Sequence, residues 1–169
     1  NYMSEFNLNA ISPIDGRYAA ITSELHDYFS EGALIKYRIK VEIEYFISLC
    51  EFNLPQLKNF NKAYFSKLRE IYLDFNLKDA LDVKLIEKKT NHDVKAVEYF
   101  IKQKFNDLNI SKYSEFIHFG LTSQDVNNTA IPLLVKDILQ EVYIDKIDEL
   151  LKALENKIKK WKDIPMLSR

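Results

Sequence analysis

The chain has 169 residues, 47% of them hydrophobic and 13% aromatic, with three glycines, four prolines and a net charge of −1. That composition supports a packed core, excludes long disorder, and gives no electrostatic footprint for nucleic acid or an anionic membrane surface. A single cysteine, Cys50, excludes an internal disulfide framework and fits a cytoplasmic setting, and neither a membrane-span apolar run nor a signal-peptide pattern is present.

Asn1 and Tyr2 precede the first methionine, Met3, and read as an added remnant. Up to about residue 18 there is little apolar periodicity. Ser12-Pro13-Ile14-Asp15-Gly16 reads as a turn, because Pro fixes one φ and Gly accepts a positive one. Arg17 and Tyr18 follow it. With four arginines against twenty lysines, an arginine held by a stiff turn beside a tyrosine suits a phosphate or oxyanion. On this stretch alone, a surface arginine after a loop is the stronger reading.

Between residues 34 and 52 two periods compete. Tyr37, Ile39, Val41, Ile43 and Tyr45 alternate with Arg38, Lys40, Glu42 and Glu44, the pattern of an amphipathic strand. The same stretch offers Arg38–Glu42 and Lys40–Glu44 as helix ion pairs at i,i+4. Its length, without Gly or Pro, favours a helix, but the pattern alone leaves the choice open. Leu54-Pro55 marks a break. Helical spacing returns over 61–72 and 78–87. Val94, Val97, Ile101 and Phe105 then fall at intervals of three and four, a helix with one apolar face. A polar connector over 106–113 is the candidate domain boundary, dividing an N-terminal helical domain, 1–112, from a second segment, 113–169.

From Thr122 a long helix is predicted to about residue 162, with Pro132 kinking its first part. Ile144, Ile147, Leu151, Leu154, Ile158 and Trp161 form a seam for partner helices. The chain has little room to supply those partners, so the seam is expected to self-associate or to be poorly soluble.

Two strings stand out for chemistry: Thr90-Asn91-His92-Asp93 and Thr122-Ser123-Gln124-Asp125. Each places a hydroxyl three residues ahead of an acid, the spacing of a capping box. A helix start carries unpaired N–H groups and partial positive charge, so two of them suggest a pocket for a multiply anionic ligand. His92 can donate or titrate, Asn91 can donate and accept, and Asp93 can orient His92 or complete a cap. Asn127 and Asn128 extend the second polar face. Taken singly, each string is also an ordinary helix cap. His118, between apolar neighbours, reads as a buried structural histidine. The three histidines and one cysteine form no metal motif, and no phosphate-cradling glycine loop or nucleophile elbow is present.

Three segments together resemble one family. Ser12-Pro13-Ile14-Asp15-Gly16-Arg17-Tyr18, Thr90-Asn91-His92-Asp93-Val94-Lys95-Ala96-Val97-Glu98 and Phe116-Ile117-His118-Phe119-Gly120-Leu121-Thr122-Ser123-Gln124-Asp125-Val126-Asn127-Asn128 are similar, in order and spacing, to adenylosuccinate lyases. The likeness runs from about Leu8 to Arg169. The third segment is shared across the wider fumarase and argininosuccinate lyase superfamily; the first two point within it.

The resemblance implies an all-α fold, a helical N-terminal domain followed by the first long helix of a truncated bundle, and 34–52 as helix. It implies a cytoplasmic homotetramer with no cofactor and no metal. The implied reaction is β-elimination, splitting adenylosuccinate into AMP and fumarate, and the succinylcarboxamide ribotide into its carboxamide and fumarate. Arg17 and Tyr18 match positions that contact the nucleotide. Asn91, His92 and Asp93 match a substrate-binding turn, with His92 assisting by electrostatics. Thr122 and Ser123 match positions that hold the succinyl carboxylate. In the family, Leu-Ser-Arg is followed by the segment bearing the general-acid histidine, and the chain ends at Arg169. It therefore reads as a front fragment lacking both general acid and base, inactive by itself. The alternatives are another fumarate-releasing lyase of the superfamily, or a helical assembly module without chemistry.

Overall fold

The computed structural model describes residues 9–52 and 54–167, and every regular element among them is helical, with no strand. The expectations for Asn1, Tyr2, Met3, Leu8, Ser168 and Arg169 lie outside the described residues. Contacts divide the chain into two compact units, Asn1–Leu134 and Val135–Arg169.

The first unit is organised around one helix. A short turn of helix, α1 (His26–Phe29), leads into α2 (Glu31–Glu51). Ser30 starts α2 by accepting the Ala33 N–H on its hydroxyl at 3.1 Å, the usual work of an N-cap serine. The open question over 34–52 is thereby settled: the segment is helix. The alternation arises because α2 is buried on two sides. Ile35, Ile39, Ile43 and Ile47 form one i,i+4 row in the main core. Tyr37 and Val41 form a second row, two residues out of step, against Ala130 and Leu134. Two residues turn a helix by about 200°, so the two rows face opposite ways and together mimic period two.

Around α2 pack α3 (Phe65–Leu73), α4 (Leu77–Thr90) and α5 (Asp93–Asp107). The predicted face of α5 is buried: Val94, Val97, Ile101 and Phe105 are at most 1% exposed. Each such side chain contributes about 1.5–3 kcal/mol relative to exposure. Phe46 of α2 packs edge-on against Phe60 and Phe105, with centroids 5.2 and 5.0 Å away. Asn76 and Asp79 form a complete capping box on α4, which sequence reading passed over. Lys104 of α5 pairs with Asp79 at 3.0 Å, tying the two helices of the α4–α5 hairpin together. Helix α6 (Ser123–Ile138) takes in Pro132 without ending there.

In the second unit a π-helical turn, Leu139–Tyr143, precedes α7 (Ile144–Trp161). The predicted seam is present, with Ile144, Ile147, Leu151, Leu154, Ile158 and Trp161 between 36% and 62% exposed. No residue of α7 is buried. No helix among the described residues is long and apolar enough to cross a membrane.

Candidate active site at two helix openings

The two strings that looked alike in sequence fold differently. At the second, Thr122 is a true cap. Its N–H and its hydroxyl both donate to Asp125 Oδ2 at 2.7 Å, and its Oγ1 accepts the Asp125 N–H at 3.3 Å. The Thr122 hydroxyl holds the Asp125 carboxyl below the usual carboxylate range. Gly120, at φ +72°, turns the chain into this opening; an added Cβ would meet no clash, but the backbone angle itself favours glycine.

At the first string the predicted box does not form. Thr90 is the last residue of α4, and its hydroxyl bonds the carbonyls of His92 and Glu87. Asn91 then takes the left-handed conformation, φ +51°, and turns the chain back. The cap moves two residues along to His92, whose Nδ1 accepts the Lys95 N–H at 3.1 Å. An imidazole that accepts at Nδ1 carries its proton on Nε2. With Nδ1 so engaged, Nε2 is the ring nitrogen left to face the second opening, and it lies 3.4 Å from Ser123 Oγ. The two openings meet there, with both side chains open to solvent or partly so.

Asp93 is fully engaged. Oδ1 accepts the Val94 N–H at 2.8 Å, and Oδ2 lies 2.8 Å from Arg38 Nη2. Burial pushes its carboxyl up, but the Val94 N–H and the Arg38 charge outweigh this and leave it lowered. Arg38 also donates from Nε to Asn127 Oδ1 at 2.9 Å. Asn128 accepts from Gln124 at 2.6 Å.

Arg17 and Tyr18 sit on the predicted turn. Ser12 donates from its N–H and hydroxyl to Asp15 Oδ1 at 2.9 and 2.8 Å, and Tyr18 N–H closes onto Pro13 O at 2.8 Å. The Arg17 guanidinium lies 6.0 Å from the Tyr18 ring centre, and both residues are exposed. Among the described residues the two form no hydrogen bond or ion pair with either opening. The structure therefore joins Asn91, His92, Asp93, Thr122 and Ser123, and among the described residues bonds neither Arg17 nor Tyr18 to them.

Sequence reading missed the residues beneath the site: Arg38, Glu42 and Tyr45, all on α2. The expected Arg38–Glu42 pair is replaced by bonds to other elements. Tyr45 donates its hydroxyl to Phe119 O at 2.7 Å, anchoring the approach to Thr122. Glu42 is completely buried, and its Oε1 lies 2.9 Å from His118 Nδ1 while Oε2 has no partner among the described residues. Burial raises the Glu42 carboxyl, and the hydrogen bond to that carboxyl raises His118. His118 is thus half-buried and charge-paired, not simply a core histidine. These residues recur at intervals of four and three within an apolar run, the one signal that marks a polar stripe on a buried helix. No group of three potential metal ligands occurs among the described residues. A groove of about 440 Å³ borders the second opening, lined by Tyr45, Leu121, Asp125, Val126 and Thr129 among others.

The profile of a family described as lyase matches residues 16–169. The chain is 54% identical to adenylosuccinate lyase of Dictyostelium discoideum over 170 residues, which is 96% of this chain and 36% of that protein. It is 41% identical to adenylosuccinate lyase of Vibrio cholerae over 164 residues and 38% identical to that of Escherichia coli over 165, each match covering 96% of this chain and 36% of the relative. The chain thus spans about a third of the length of the curated relatives it matches. The matched stretch takes in Arg17 and both helix openings, and the chain belongs to the lyase family.

Proposed function

We propose that this chain is the substrate-binding front part of a lyase that cleaves adenylosuccinate to AMP and fumarate, and the succinylcarboxamide ribotide to its carboxamide and fumarate. The observation that carries the reading is the 3.4 Å approach of His92 Nε2 to Ser123 Oγ, which brings two helix starts to one place. A dicarboxylate needs such a place. Thr122 spends its hydroxyl on Asp125, so the carboxylate is left to the Ser123 hydroxyl and the first N–H groups of α6.

β-Elimination removes a proton from the succinyl carbon next to a carboxylate, breaks the C–N bond and returns a proton to the departing nitrogen. The charge that builds on that carboxylate is met by fixed donors. The Nε2–H of His92 is one, and the ring needs no reorientation because Nδ1 already accepts the Lys95 N–H. Asn91 and Asp93 complete the substrate-binding turn, and Arg17 and Tyr18 hold the nucleotide in the assembled protein. The general acid and base come from the rest of the parent, so this chain alone does not turn over. A cytoplasmic homotetramer, with the exposed seam of α7 covered by partner helices, belongs to the same reading. So does the division into an N-terminal domain, 1–112, and the start of a central bundle, 113–169.

The test is fumarate release by the purified full-length parent. Adenylosuccinate is expected to be cleaved, and His92→Ala to lower kcat/KM by about 10²-fold or more. A parent that released fumarate only from argininosuccinate, or a His92→Ala variant at full rate, would overturn the reading.

A further inference from the structure

The two openings come from segments some thirty residues apart, and among the described residues the hydrogen bond that links them directly is long. At 3.4 Å, His92 Nε2 and Ser123 Oγ lie outside the range of a strong hydrogen bond, so this contact does not by itself fix their separation. A third helix does. The Arg38 side chain is 9% exposed, and its guanidinium reaches both openings with short bonds: Nη2 to Asp93 Oδ2 at 2.8 Å, and Nε to Asn127 Oδ1 at 2.9 Å.

Each arm ends next to a site residue. Asp93 adjoins His92 and is locked to the first turn of α5 by the Val94 N–H. Asn127 lies four residues beyond Ser123, on the same face of α6. We propose that Arg38 is a positioning residue: its planar fork ties the α5 opening to the α6 opening and so sets the spacing of His92 and Ser123 around the substrate. This rests on the functional reading above. Lysine does not replace it, because an ammonium is a point charge on a flexible stem and lacks two rigid donors in one plane. Losing either arm would leave a buried guanidinium N–H unpaired, so the clamp acts as a unit.

The test uses the full-length parent with Arg38→Lys, Asn127→Ala and the double substitution. Kinetics with adenylosuccinate, thermal unfolding, and amide exchange over residues 93–97 and 123–127 are compared. Arg38→Lys is expected to lower kcat/KM by about 10²-fold, the scale of an ångström-sized misplacement. Asn127→Ala is expected to lose about tenfold with a modest fall in the unfolding midpoint, since the chain still folds but the Arg38 Nε–H is left unpaired. The double variant should lose no more than Arg38→Lys alone. Losses that multiply, or Asn127→Ala at wild-type kcat/KM with unchanged exchange, would overturn the proposal. Should Arg38→Lys not fold, Asn127→Ala decides alone. Should the unsubstituted parent fail to cleave adenylosuccinate, the functional reading falls and the clamp is judged by exchange. Faster exchange at both openings in Asn127→Ala supports it, and unchanged exchange refutes it.

Discussion

The starts of α5 and α6 carry nearly the same string, a threonine three residues before an aspartate, yet only one uses it as a cap. At Thr122 the hydroxyl and acid close on each other, leaving the next residue, Ser123, to face outward. At Thr90 the helix before it has not yet ended, and the left-handed Asn91 hands the cap to His92. The difference teaches that a capping string states a preference, while the preceding helix decides where the chain is free to turn. It has a chemical result too: a histidine cap holds one ring nitrogen and aims the other, which a threonine cap cannot do.

The openings also differ in what supports them. The approach to α6 passes over the Glu42–His118 pair, whose carboxylate is completely buried, whereas the carboxylate paired with Arg38 at the α5 opening is half exposed. The largest expected effect follows. His118→Ala strands a completely buried carboxylate and should destabilise the chain by about 3–5 kcal/mol near neutral pH, measured by chemical denaturation. In a Glu42→Gln background the same change should cost much less, because no charge is stranded. The pair also fixes a pH dependence. His118 is raised above its ordinary value of 6.5 by its hydrogen bond to Glu42, so the folded chain holds this proton more tightly than the unfolded chain. Its contribution is complete below about pH 6.5 and is lost as pH rises through the folded value. Glu42, raised from 4.5 by burial, has the same sign. The stability advantage of the wild type over Glu42→Gln should therefore shrink from pH ~6 to pH ~9. An advantage that grew with pH would contradict the pairing.

Most of the helices were legible in the sequence because they bury one face. Val94, Val97, Ile101 and Phe105 gave α5, and the seam of α7 was visible although it stays exposed. Helix α2 was ambiguous for the opposite reason: it is buried on two sides, and its second row is out of step with the first by two residues. That same ambiguity hid Arg38, Glu42 and Tyr45, whose stripe is visible only once the segment is read as helix. His92 and Ser123 were legible as donors, but their 3.4 Å approach is a tertiary fact with no local signature. Arg17 and Tyr18 were found as residues on a turn, and nothing local relates that turn to the openings.

Next in size is Thr122→Ala, which removes both bonds of the hydroxyl and leaves only the backbone N–H of residue 122 on Asp125. It should cost about 1 kcal/mol, within the range of 0.5–2 seen for caps, and speed amide exchange over the first turn of α6. Tyr45→Phe should cost slightly less, about 0.5–1 kcal/mol, since Phe119 lies at the surface and its carbonyl can turn to water. Its exchange effect should be confined to the approach to α6 and leave α5 untouched.

Smallest of all should be Thr90→Ala. The Thr90 hydroxyl makes two bonds, at 3.1 and 3.4 Å, to the carbonyls of His92 and Glu87. Neither caps α5, and alanine is a better helix former at the end of α4. The change should therefore stay within about 0.5 kcal/mol of zero by denaturation. The comparison with Thr122→Ala is the sharp one, because the two substitutions are chemically identical and sit in nearly the same string. If Thr90→Ala cost as much as Thr122→Ala, the first string would be acting as a cap after all. His92 would then be released from the Lys95 N–H, and its fixed Nε2–H, on which the proposed charge stabilisation depends, would go with it.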